Sequence, residues 1–177
     1  EASPTYLTAE GAPSQAARTV PLAKCIVLLR DPAERIVSNY YHRFRAGRET
    51  RPINEIFSAS MIERLAKRTP RGATETLLFE RSDYAGGLKR WLDHFPREQI
   101  HVVEAETLFR QPQEAFSEVC QFLELEPIQL PSIEVFNANA GSKEKPLRFN
   151  ELRQAFRQQN RELAELGYEF SWTKAET

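Results

Sequence analysis

Apolar positions along the chain change period at a few sharp points, and those points mark its elements. Cys25 to Leu29 is an unbroken apolar run rich in β-branched residues, which predicts one buried strand. Arg30-Asp31-Pro32 follows at once and is a helix-start signal. Asp31 can accept hydrogen bonds from the free amides of a first turn. Pro32 suits the first helical position, where its missing N–H has no partner anyway, and Glu34 completes a capping-box pattern. Ile36, Val37, Tyr40, Tyr41 and Phe44 then recur at helical spacing as a buried stripe, leaving Arg35, Ser38, His42 and Arg45 on the opposite, polar side. Arg30 is therefore expected at the strand's end and Ser38 about two turns along the helix.

The same reading continues down the chain. A short helix is predicted around Ser14–Arg18, an irregular amphipathic helix over Ile53–Leu65, and an exposed loop over Arg64–Gly72. Ser82-Asp83 caps a helix whose stripe is Tyr84, Leu88, Trp91 and Phe95, followed by a strand at Ile100–Val103 and a helix over Pro112–Leu123. Pro127–Pro146 reads as a long loop, and Phe149, Leu152, Phe156, Leu163 and Leu166 stripe a closing helix, with Trp172 as a core anchor.

Composition bounds what such a chain can do. With 177 residues, 41% of them hydrophobic and 28% charged, it can bury a core as one globular unit, residues 1–177. A formal net charge of -1 makes no general claim on nucleic acid, so any basic site must be local. Residues 30–51 are such a locality, where Arg30, Arg35, Arg43, Arg45, Arg48 and Arg51 outnumber the acids. Cys25 and Cys120 stand alone and indicate no disulfide framework. No apolar run reaches membrane-spanning length, and E-A-S-P-T-Y-L lacks the pattern of a secretion signal; a cytoplasmic protein, or a soluble domain of a larger one, is the expectation.

A guanidinium and a hydroxyl meeting where a parallel strand gives way to a helix can bind phosphate, because arginine offers a planar fork of donors and such sheets hold ligands at their carboxyl edge. On the residues alone, a structural ion pair for Arg30 and a solvated Ser38 remain an open alternative. The segment L-L-R-D-P-A-E-R-I-V-S-N-Y, however, resembles the 3′-phosphate-binding segment of sulfotransferases that use 3′-phosphoadenosine 5′-phosphosulfate (PAPS), in the heparan sulfate branch. R-S-D-Y-A-G-G-L-K-R-W-L-D-H-F-P-R-E-Q-I-H-V-V-E is similar to a second family segment, and L-G-Y-E-F-S-W to its terminal one.

The resemblance implies an α/β fold, a three-layer sandwich with a parallel sheet of the P-loop NTPase-like kind. It implies PAPS as donor, adenosine 3′,5′-bisphosphate as product, and sulfuryl transfer to a hydroxyl or amine of a small molecule or glycan. By position, Arg30 and Ser38 would hold the 3′-phosphate, and Gly141, Ser142 and Lys143 occupy the place of a loop that folds over the adenine and that phosphate. Glu104 and Glu106, at the second strand's carboxyl edge, invite an acid/base role, but the family pattern makes them structural. No catalytic base is identified; His42 and His94 read as surface or packing residues.

Two features set the chain apart from the family pattern. The family's Gly-rich K-x-G-T-(T/S) loop, which cradles the 5′-phosphosulfate, has no counterpart among the glycines here, so the chain is expected to cover about the last two thirds of the family's domain, truncated at its N-terminus. Ala2 also stands where the 3-O-sulfotransferase branch carries a lysine near the sulfuryl group. A non-catalytic remnant that binds nucleotide or a partner is thus a second reading. A nucleic-acid module on the arginine-rich helix ranks below both, since the apolar stripe is better used as core than for stacking bases. Oligomeric state is not legible in the sequence.

Overall fold

The computed structural model describes Ser3, residues 5–130 and residues 144–174. In chain order its elements are α1 (Ala12–Thr19), β1 (Cys25–Leu29), α2 (Pro32–Arg45), α3 (Ile53–Ile56), α4 (Ala59–Ala66), α5 (Gly72–Glu80), α6 (Tyr84–Leu92), β2 (Ile100–Glu104), α7 (Ala105–Arg110), α8 (Pro112–Leu123), α9 (Phe149–Gln154), α10 (Arg157–Glu165) and α11 (Ser171–Lys174). Ala2 and the expected loop residues Gly141, Ser142 and Lys143 lie outside the described residues.

β1 and β2 run parallel, with Cys25 opposite Ile100 and Leu29 opposite Glu104, so both strands end at the same edge. Alternate side chains leave the sheet on opposite faces. Leu29, Ile100, Val27 and Val102 join Tyr84, Leu88, Phe95, Leu163, Phe170 and Trp172 in one apolar core. On the other face His101 stacks on Phe122 of α8 at a centroid distance of 5.1 Å. Ile26 and Leu28 stay 45% and 53% exposed there, so β1 is buried on one face and not on both as its unbroken apolar run suggests. Among the described residues β1 has a strand neighbour on one edge only, and nothing closes over those two side chains.

A second core gathers on α2. Ile36, Val37 and Tyr40 pack with Ile53, Ile56, Phe57, Met61, Ile62, Leu65, Leu78, Leu152 and Phe156. Phe44 does not continue the expected stripe and is 45% exposed. Ile53–Leu65 is two helices, because the chain turns at Phe57 to sink that ring into the core. The closing stretch is likewise split, into α9 and α10. Arg64–Gly72 is not the open basic loop of the sequence reading. Arg64 belongs to α4 and forks onto Glu75 of α5, and Arg68 pairs with Glu162 of α10 at 2.7 Å. Gly72 starts α5 with φ of 69°, a left-handed angle that glycine adopts without steric cost. No described helix is long and apolar enough to cross a membrane.

Candidate functional site

Arg30 and Asp31 form the junction of β1 and α2. Asp31 caps α2 as its sequence suggests, accepting from the amides of Ala33 at 2.9 Å and Glu34 at 3.3 Å, and it is 4% exposed. The reciprocal half of the capping box is made differently. The Asp31 N–H donates to Glu106 Oε1 at 3.3 Å, because α7 leaves the neighbouring strand beside this turn and brings its carboxylate to the amide first. Glu34 is thereby released to the surface, where it lies 3.7 Å from Arg30 and 2.7 Å from Lys145.

Arg30 sits between two carboxylates, Glu34 at 3.7 Å and Glu106 at 3.6 Å. Both separations are beyond hydrogen-bond range, so they orient the guanidinium by charge without consuming its donors. Its side chain is 36% exposed and can be reached from outside. Glu106 is half-buried, its Oε2 has no hydrogen-bond partner among the described residues, and burial pushes its carboxyl above the usual carboxylate range.

Arg30 packs toward Glu34, and Ser38 is the next i+4 position, so the three share one side of α2. Ser38 is half-buried there. Tyr41, a turn further on, donates from its hydroxyl to the carbonyl of Glu144 at 2.6 Å. Lys145 reaches Glu34 and lies 4.3 Å over the Phe149 ring. The segment that resumes at Glu144 therefore crosses the side of α2 that carries Glu34 and Ser38, bringing a second cation within one carboxylate of Arg30. The sequence offers Glu34 as part of a capping box and Glu106 as a carboxyl-edge acid, not as partners of Arg30, and does not single out Lys145, for which the lysine doublet of K-E-K is the one signal.

Other residues of the expected basic stretch are used elsewhere. Arg35 is not on the polar side of α2. It turns inward, donating to the carbonyl of Leu78 at 2.9 Å and to the Ser82 hydroxyl, and burial lowers its pKa while raising that of neighbouring Tyr84 to about 12. Arg51 forks onto Glu49 with two bonds of 2.9 Å and holds that carboxyl down to about 2. Glu104 accepts from the Ser171 amide at 3.0 Å, from the Ser171 hydroxyl and from Thr107 at 2.7 Å, which ties α11 to the end of β2. Burial opposes its charge, but these bonds outweigh that and hold its carboxyl low, so it acts structurally. His42 and His94 are exposed. The described residues hold no cluster of metal-ligating side chains.

A parallel sheet whose first strand leads into a capped helix turn, with a reachable guanidinium at that turn and a lysine across the helix, is an α/β arrangement with two cations grouped at its carboxyl edge. Residues 5–175 match the sulfotransferase domain family, and the chain belongs to it. It is 32% identical over 143 residues to human heparan sulfate glucosamine 3-O-sulfotransferase 5, a match covering 80% of this chain and 40% of that protein. It is 28% identical over 130 residues to the bifunctional heparan sulfate N-deacetylase/N-sulfotransferase of Drosophila melanogaster, covering 72% of this chain and 12% of that one. The crystal structure of a sulfotransferase from Alicyclobacillus acidocaldarius superposes with a TM-score of 0.72 at 26% identity, over 96% of this chain and 65% of that chain, which fixes the fold as the sulfotransferase one. The chain spans less than half the length of these two curated relatives.

Proposed function

We propose that the chain takes part in sulfuryl transfer from PAPS to a hydroxyl or amine, and that Arg30, Ser38 and Lys145 hold the donor's 3′-phosphate. The observation that carries this is the convergence of Arg30 and Lys145 on Glu34, on the side of α2 that also presents Ser38. The donor set fits a phosphate dianion: a planar fork, an ammonium and a hydroxyl, with no competing hydrogen bond on the fork among the described residues. Glu34 and Glu106 orient Arg30 before the ligand arrives, which lowers the ordering cost of binding. Gly141, Ser142 and Lys143 directly precede the Glu144–Lys145 contact and are proposed to reach the same nucleotide.

When bound, PAPS supplies the sulfuryl group and a 5′-phosphate leaving group. The residues described here set the nucleotide's position and leave the transferred group to others, so their contribution is alignment of an in-line displacement. The relatives named for heparan sulfate support a glycan as acceptor. The test is incubation with donor carrying labelled sulfate and a panel of desulfated glycans, alongside titration of adenosine 3′,5′-bisphosphate. Label on a glycan, competed by the bisphosphate, is the expected result. Bisphosphate binding with no label on any acceptor would reject transfer by this chain, and no bisphosphate binding would reject the site.

A further inference from the structure

Arg30 follows a strand and Ser38 lies within a helix, but Lys145 belongs to the turn before α9 and its side chain is 52% exposed. A lysine gives up much rotamer freedom on being placed, and an exposed ion pair such as Lys145–Glu34 holds it only weakly. An ammonium that serves as a phosphate ligand from such a position needs a further support.

Phe149 provides one. Its N–H donates to the carbonyl of Pro146 at 3.0 Å, and the Leu147 N–H donates to Asn54 Oδ1 at 2.8 Å, so the chain doubles back and sets the Lys145 ammonium 4.3 Å from the centroid of the Phe149 ring. The ring is 8% exposed and belongs to the core built on α2. It is tied to α2 a second time through Arg153, one turn further along α9, whose guanidinium lies 5.3 Å from the same ring and pairs with the α2 cap Asp31 at 2.7 Å. Two cations over one aromatic ring thus reach two carboxylates at the start of α2. An aromatic face attracts a cation through its quadrupole and offers no directed lone pair, so Lys145 keeps N–H donors for a phosphate beyond the one it gives to Glu34.

We propose that Phe149 is the positioning residue for Lys145: its ring holds the ammonium on the side of α2 that carries Glu34 and Ser38, and so raises affinity for a nucleotide 3′-phosphate. The effect on affinity rests on the proposed 3′-phosphate site; the placement of Lys145 does not.

Two replacements separate the ring's charge from its bulk. Phe149→Leu removes the aromatic face, and Phe149→trifluorophenylalanine keeps the shape of the core residue while draining negative charge from that face, so it reports even where leucine disturbs folding. Both are expected to weaken adenosine 3′,5′-bisphosphate binding about threefold, measured by calorimetric titration of the folded protein. In a Lys145→Ala background neither should cost further affinity, whereas an effect through Arg153 or through core packing would persist there. A ligand-free readout is the NMR signal of the Lys145 ε-methylene, assigned by its loss in Lys145→Ala. It is expected upfield of the other lysines, under the ring current of Phe149, and to return toward them in Phe149→Leu. An unshifted Lys145 signal in the native protein, or an equal loss of affinity from the ring changes with and without Lys145, would overturn the proposal. Bisphosphate affinity that falls in Lys145→Ala but not in the trifluorophenylalanine protein would overturn the role of Phe149 alone. Affinity untouched by Lys145→Ala would overturn Lys145 as a phosphate ligand, and with it the effect of the ring on binding.

Discussion

Replacing Asp31 with alanine perturbs the turn on which the candidate site leans. The carboxylate accepts from two α2 amides and pairs with Arg153 of α9. Losing an N-cap costs about 1 kcal/mol, within a range of roughly 0.5–2. The ion pair contributes about 0.5 kcal/mol, because the Arg153 side chain is 46% exposed and water screens it. With the small void left at a buried position, the sum is about 2 kcal/mol. For a chain of this size that lowers Tm by roughly 4–8 °C. Asp31→Asn keeps a capping oxygen and removes only the ion pair, so its loss stays under about 1 kcal/mol. Thermal and urea unfolding of the two variants give the comparison. Equal damage from both substitutions, or none from alanine, would refute the assignment of the cap as the main role.

Three further outcomes follow from the same geometry. Lys145→Ala weakens adenosine 3′,5′-bisphosphate binding several-fold without changing Tm by more than about a degree, since its ion pair is a surface one; calorimetric titration and thermal unfolding report the two. Arg35→Met removes a buried cation bonded to Leu78 and Ser82 and lowers stability while sparing nucleotide affinity, which the same assays check. Glu49, held to about 2 by Arg51, is ionised more readily folded than unfolded, so its stabilising contribution is complete above its unfolded value near pH 4.3 and drains away as pH falls toward 2. Glu49→Gln should flatten that part of a Tm-against-pH curve, with no effect at pH 7 on the curve's slope; Glu106, raised by burial, acts in the opposite sense and gains stability on protonation.

Much of the scaffold was legible because its signals are local. The bounds of β1, α2 and α8 follow from Asp31-Pro32, from the apolar run before them and from Pro112, each a cue that works within a few residues. α5 escaped notice because Leu77, Leu78 and Phe79 are consecutive and show no helical period. Phe156, expected on a stripe, and Phe57 fill the core from the breaks between helices, which only tertiary packing decides. The exposure of Ile26 and Leu28 depends on what lies beside β1, which the run itself does not encode. At the site, Arg30 and Ser38 came from likeness to a known segment. Glu106 and Lys145 could not, because they meet the turn across 75 and 111 residues of sequence.

The central claim is that Arg30 reads a 3′-phosphate. Paired calorimetric titration of adenosine 3′,5′-bisphosphate and adenosine 5′-monophosphate, in the native protein and in Arg30→Ala, tests it most directly. A lost charged hydrogen-bond pair at this part-exposed position is worth about 2 kcal/mol, so the bisphosphate should lose roughly 30-fold in affinity while the monophosphate is unchanged. A folded Arg30→Ala protein that still prefers the bisphosphate by its original margin would contradict the account.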